Sequence, residues 1–346
     1  MKSNKYSVIL GNLGNTCDRF LPTGYKSQPT KAEMIRQAAS IEGLGGLELV
    51  GGWDVTPENA REMHSLMSDH GLACVSIIPD FFSRSVWGSG SFCSRDANVR
   101  KLALEEGHRA AEVASLMGCP LLNLWLGQDG YDYPLQSDFG SQRQWMLEGI
   151  RSLAGAWPAL KFALEYKVKE PRVRSFHARA ADTLLMARET DLPNVGVCID
   201  VGHAFAAEEN VAESAWLLNH YGNKLFHMHY NDNYGHWDDD MIVGSVHLVH
   251  YIELYYWLRK IGYEGWHSMD QYPYREDGVR AVSESIAFLQ SLERSLTTER
   301  LAEIGALLAK GDATKSTRWM REFVFGRHEP AFAGEQAFAE AACAVR

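Results

Sequence analysis

Up to about residue 290, short runs of aliphatic and β-branched residues alternate with longer amphipathic stretches. Eight of the short runs read as strands: 6–13, 46–50, 73–78, 121–126, 161–166, 196–201, 225–230 and 265–270. The intervening stretches place apolar residues at helical spacing over 31–42, 57–70, 98–117, 142–156, 176–190 and 247–261, and the last strand is followed by another such stretch at 279–294. Strands that alternate with helices predict parallel β/α units, and eight units predict closure into a (β/α)8 TIM barrel. A doubly wound open sheet is the alternative. It would need a glycine-rich turn after the first strand, whereas residues 11–15 read Gly-Asn-Leu-Gly-Asn, which is not GxGxxG.

Beyond Leu296 the alternation stops. Residues 298–310 and 316–325 read as helices, and an alanine-rich tail follows. The expected organisation is therefore a barrel over 1–296 and a C-terminal helical arm over 297–346. Such an arm either packs on the outside of its own barrel or embraces a neighbouring subunit, and a homo-oligomer is the expected assembly.

Composition narrows the class. A chain of 346 residues that is 46% hydrophobic suits one barrel with an extension. The net charge of −10 and a pI near 5.7 argue against a nucleic-acid groove, which is basic. No apolar run approaches the ~18 residues of a membrane span. The N-terminus passes from lysines directly into a strand pattern, without the apolar stretch and small-residue cleavage site of a secretory signal. A soluble cytoplasmic protein with a small-molecule partner is expected. The six cysteines are scattered, with no CxxC pair, and read as reduced thiols.

In a barrel, chemistry gathers at the C-terminal ends of the strands. Here the last four strands carry ionisable groups at that point: Glu165 with Lys167, Asp200 with His203, His227 with His229, and Asp270. Each carboxylate follows an apolar run, and a buried charge must be paired or bound to metal. A lone strand-end aspartate is more often a helix cap. Four successive strand ends with a candidate ligand each point to a shared metal site, Glu165, Asp200, His229 and Asp270. This oxygen-rich set suits Mn2+, Mg2+ or Co2+. Glu165 and Lys167 share one strand face, as do His227 and His229.

Three adjacent aspartates, Asp238, Asp239 and Asp240, follow His236 and Trp237. They read either as a solvated acidic loop or, through Asp238 and Asp240 with His203, as a second metal position. Trp125, in strand four, and Asp129, just after it, offer an aromatic face and a polar group for substrate, and His203 is a further substrate-binding candidate. Asn12, Asn15, Asp18, Arg19 and Lys26 are weaker candidates for polar contacts, because turns favour the same residue types.

With those residues in place, the chain resembles the xylose isomerase-like barrel superfamily and is most similar within it to the L-rhamnose isomerases. The matching stretches are 125–134 (WLGQDGYDYP), 164–171 (LEYKVKEP), 200–203 (DVGH) and 229–232 (HYND), and the resemblance covers roughly 5–290. It implies a structural metal on Glu165, Asp200, His229 and Asp270. It also implies a catalytic metal on His203 with two aspartates, Asp238 and Asp240 or the fallback Asp239, and a catalytic role for Lys167. The pattern departs at strand three: Ile77 stands where the rhamnose isomerases place a histidine thought to open the sugar ring, and Asp80 or a nearby histidine is the possible substitute.

The resemblance implies aldose–ketose isomerisation, with hydrogen moving between C1 and C2. A hydride route would use two metals. A proton route would use one, with Glu165, Asp270 or Lys167 as catalytic groups. Two alternatives use the same barrel. One is a ketose 3-epimerase with Glu165 and Asp270 on opposite faces of the carbon; the other is a lyase acting on 3-keto glycosides with His227 as base. A catalytically silent sugar-binding barrel is the non-enzyme alternative, and the absence of bound metal would favour it.

Overall fold

The computed structural model describes residues 4–17 and 21–326. Its eight main strands are β1 (Lys5–Ile9), β2 (Leu44–Val50), β3 (Ala73–Ile78), β4 (Leu121–Trp125), β5 (Lys161–Glu165), β6 (Val195–Asp200), β7 (Leu225–Tyr230) and β8 (Trp266–Met269). They pair in chain order, and β8 closes on β1 in a ring. Every pairing is parallel; the closing one aligns Val8 with Met269. A (β/α)8 barrel is thus the fold, as the strand count predicts.

The helices are α1 (Lys31–Ala39), α2 (Ala60–Asp69), α3 (Ala97–Leu116), α4 (Phe139–Ala156), α5 (Ala180–Glu189), α6 (Val201–Ala206), α7 (Val211–His220), α8 (Leu248–Ile261) and α9 (Gly278–Ser295). Side-chain caps start many of them. Thr30 and Glu33 form a reciprocal capping box on α1, and Asp96, Asp138, Asp200 and Asn210 cap α3, α4, α6 and α7.

Strand alternation decides what reaches the barrel interior. In β7 (LFHMHY), His227 and His229 share the inward face. In β2 (LGGLELV), Glu48 points inward between the buried Leu47 and Leu49.

Among the differences from the sequence pattern, two boundaries and two short helices have a clear physical cause. The apolar run at 6–13 is strand only to Ile9; Leu10–Leu13 turns as a 3-10 helix, with Leu10 and Leu13 buried, so their apolarity signalled burial rather than strand. The helical pattern at 176–190 begins only at Ala180, because Phe176 donates its N–H to Asp129 O and Arg174–Ser175 pairs with Gly130–Tyr131. The short helices α6 and α7, absent from the pattern analysis, are each set by a capping residue rather than by a long apolar stripe.

The chain divides into two compact units, one up to Arg294 and one from Ser295 onward. The second contains α10 (Thr298–Lys310) and α11 (Ala313–Phe325), joined internally by a hydrogen bond from Trp319 Nε1 to Glu303 Oε2 at 2.8 Å. The alanine-rich tail lies outside the described residues. No helix among the described residues is long and apolar enough to cross a membrane.

Candidate metal centre

Glu165 is the last residue of β5 and Asp200 the last of β6; His229 lies in β7, and Asp270 directly follows β8. One ligand atom from each lies within 4.8 Å of the others. His229 Nδ1 stands 3.4 Å from Glu165 Oε2 and 3.2 Å from Asp270 Oδ2. That nitrogen is buried and has no hydrogen-bond partner.

Two of the three carboxylates are also held from behind. Asn123 donates to Glu165 Oε2 at 2.5 Å. Asp200 Oδ1 accepts from His203 N at 2.8 Å, capping α6, and Asp200 Oδ2 accepts from Asn231 Nδ2 at 2.9 Å. Asp200 is therefore a helix cap and a member of the cluster together. The arrangement needs glycine at 202, where a Cβ would stand 1.8 Å from Asn231 Oδ1.

The electrostatics fit a cation. Burial raises Asp200 to about 7; His203 opposes this, while the nearby Asp238, Asp270 and Glu165 charges add to it. Burial likewise raises Asp270, with Glu165 adding to the effect and His229 resisting it. Three crowded carboxylates and one orphaned imidazole nitrogen are the donor set of a hard divalent ion. The residues present fit the metal that the sequence implied.

A second group adjoins the first. His203 Nδ1 is 3.3 Å from Glu165 Oε1, and His203 Nε2 is 3.1 Å from Asp238 Oδ2. Lys167 Nζ reaches the same Asp238 oxygen at 2.6 Å and Glu170 Oε2 at 3.4 Å. Burial alone would lower the Lys167 pKa, but Asp238 and Asp240 outweigh it and hold the ammonium charged. Asp238 lies well below the usual carboxylate range; burial opposes this, and Lys167 and His203 prevail.

The other sequence candidates divide. His203 and Asp238 come together with Asp200, but Asp240 is not in that convergent group. Its pKa is raised by burial and by the Asp238 and Asp270 charges. Asp239 accepts from Tyr234 N within its loop. Trp125 stands at the mouth, its ring 5.5 Å from Lys167 Nζ and 4.8 Å from Phe82; Phe82 in turn meets the half-exposed Trp53 at 5.4 Å.

Asp129, expected to meet substrate, is instead a loop anchor: its buried carboxylate accepts from Ser91 N at 3.1 Å, Cys93 N at 2.6 Å and the Ser91 hydroxyl. His227, a candidate base, lies two residues deeper in β7 than His229, and its Nε2 meets Glu48 Oε1 at 2.8 Å. Asp80, the possible substitute at strand three, binds Phe82 N, Ser83 N and Trp53 Nε1. Asn12 holds Gln271 N, Asn15 bonds Gln28 and Thr23, and Lys26 bonds Pro273 O. Asp18 and Arg19 lie outside the described residues.

The residue missed by pattern analysis is Glu48. A lone glutamate inside an apolar strand was the available signal, since a buried charge needs partners.

Beside Asp240, a cavity of about 370 Å3 opens between Trp237, Ile242, Tyr272 and Arg275. A larger hollow, about 530 Å3, lies at the opposite end of the barrel around Pro193 and Lys224. The smaller one adjoins the ionisable cluster at the end where barrel chemistry occurs.

With this geometry in hand, residues 35–292 match the family described as xylose isomerase-like TIM barrel. The chain belongs to that family. It is 30% identical over 134 residues to an uncharacterised protein of Methanocaldococcus jannaschii, a match spanning 38% of this chain and 43% of that one. Similar solved structures include a D-tagatose 3-epimerase-like protein (TM-score 0.65, 20% identity, 85% of this chain and 100% of that one). Another is the apo form of 3-keto-D-glucoside 4-epimerase from E. coli (TM-score 0.65, 19% identity, 84% and 100%). One neighbour is thus a sugar epimerase by name and the other a protein like one, and at such identity the likeness is one of fold.

Proposed function

We propose that this chain is a divalent-metal-dependent enzyme that moves hydrogen at a carbon beside the carbonyl of a sugar, using Glu165 and Asp270 as its proton-transfer pair. The observation that carries this reading is their placement. They come from β5 and β8, three strands apart in the ring, yet both flank His229 Nδ1, at 3.4 and 3.2 Å. Mn2+, or Mg2+ or Co2+, held by Glu165, Asp200, His229 and Asp270 would polarise the sugar carbonyl and acidify the neighbouring hydroxyl.

Glu165 takes the proton from the carbon, as a buried carboxylate beside its substrate can. Return of the proton to the adjacent carbon interconverts aldose and ketose. Delivery by Asp270 to the opposite face of the same carbon inverts its configuration. Lys167 and His203 stand beside Glu165 to hydrogen-bond the substrate oxygens on which negative charge grows. The Lys167–Asp238 pair supports proton transfer with one ion over a two-ion hydride route, because the ammonium already neutralises the carboxylate a second ion would need.

A second reading, epimerisation of a sugar whose carbonyl stands within the ring, draws support from β3. Ile77 is fully buried and Asp80 is committed to its own loop, so the strand supplies no group to open a ring. A ring ketone requires none. The fold likeness to 3-keto-D-glucoside 4-epimerase agrees with this substrate class.

The test is a panel of free, phosphorylated and 3-keto sugars in D2O with Mn2+, with and without chelator. Expected is solvent deuterium at one carbon of the product, and activity lowered by about 10²–10⁴-fold in Glu165→Gln and in Asp270→Asn. Retained activity in both variants, or product free of solvent deuterium, would overturn the proton-transfer pair.

A further inference from the structure

We propose that Glu48 is the positioning residue of the metal centre, fixing the orientation and tautomer of His229 from inside the barrel. The inference rests on the reading that Glu165, Asp200, His229 and Asp270 hold a divalent ion.

Glu48 belongs to β2, which is separated from β7 by β1 and β8 in the ring, so its side chain reaches His229 across the barrel interior. It is 0% exposed. One oxygen lies 2.8 Å from His227 Nε2; the other lies 3.3 Å from His229 Nε2 and also accepts from the Ser76 hydroxyl. A carboxylate has acceptors only, so the ring nitrogens facing it must be donors. The His229 proton is thereby placed on Nε2. Nδ1 is left with a free lone pair, and that is the atom without a partner between Glu165 and Asp270.

His227 packs against His229 edge to face, ring centroids 5.0 Å apart at 81°, but makes no hydrogen bond to it. An imidazole that ligates a metal through one nitrogen and gives the other N–H to a carboxylate is both oriented and made more basic. A merely space-filling residue at 48 would be served at lower desolvation cost by leucine. The charge here has a directional task.

The experiment is calorimetric titration of Mn2+ into metal-stripped full-length protein, comparing wild type with Glu48→Gln and His227→Asn. In Glu48→Gln the Mn2+ affinity is expected to fall by about 10- to 100-fold, with the thermal midpoint of the metal-free protein little changed. His227→Asn, which spares the Glu48–His229 contact, should stay within about threefold of wild type.

Unchanged affinity in Glu48→Gln, or an equal loss in both variants, overturns the proposal while leaving the metal site standing. A wild type that binds no Mn2+ overturns the metal reading and this inference with it. Should Glu48→Gln fail to fold, 15N spectra of the histidines in Mg2+-loaded wild type decide the question. A proton on Nε2 of His229 supports the assignment, and a proton on Nδ1 refutes it.

Discussion

Lys167 donates to Asp238 across 2.6 Å, and the accepting oxygen also faces His203 Nε2 at 3.1 Å. A fixed ammonium thus sits where a second cation would otherwise bind. Wild-type protein is expected to hold one tight divalent ion per chain. In Lys167→Met, Asp238 and His203 lose that competitor, and a second ion should enter as kcat falls by about 10²-fold or more. Ion stoichiometry by elemental analysis after dialysis checks this. Two tight ions in wild type would remove the basis for the one-ion route.

Asp129 separates stability from chemistry. Its carboxylate accepts two backbone N–H groups of the 91–93 segment, and Asp129→Ala leaves both buried without a partner. A loss of about 2–4 kcal/mol is expected, with Mn2+ affinity unaltered. Urea unfolding and metal titration on the same preparation measure the two quantities. A weakened metal site with intact stability would return Asp129 to the functional machinery.

Two buried histidines contribute to the acid sensitivity of the fold. His177 and His267 are both pushed down to about 3, chiefly by burial, with Arg143 adding to the shift at His177 and Arg259 at His267. Unfolded, each titrates near ~6.5. Below that value the unfolded chain binds more protons than the folded one, so stability is full above ~6.5 and declines as pH falls toward ~3. The slope per histidine reaches roughly 1.4 kcal/mol per pH unit. Urea midpoints from pH 7.5 to 4.5 should fall more shallowly in His177→Gln than in wild type. Parallel curves would count against the idea.

Much of this architecture was legible in the chain because strand and helix periods differ and every strand–helix pair repeats them. All eight strand positions follow from that rhythm, and the carboxylates at the ends of β5 and β6 stand out because an apolar run precedes them. The sequence pattern is silent where a residue's meaning depends on contacts far away in the chain. Trp125 ends strand four and Asp129 lies four residues on, yet Asp129 turns back to residues 91–93 while Trp125 faces Lys167. Glu48 meets partners 179 and 181 residues away. Short elements were also hidden: α6 has six residues, too few to display a period, and owes its start to Asp200.

The missing side chain at position 202 ties two parts of the molecule into one unit of variation. Because a methyl group there would collide with Asn231, any larger residue demands a smaller partner at 231, and that partner could no longer reach Asp200 Oδ2. The helix turn after β6 and the loop after β7 can therefore change only in concert, and at the cost of the grip on Asp200. For an engineer recasting this barrel, positions 202 and 231 belong to the fixed frame, while the aromatic row of Trp53, Phe82 and Trp125 is where variation is free to begin.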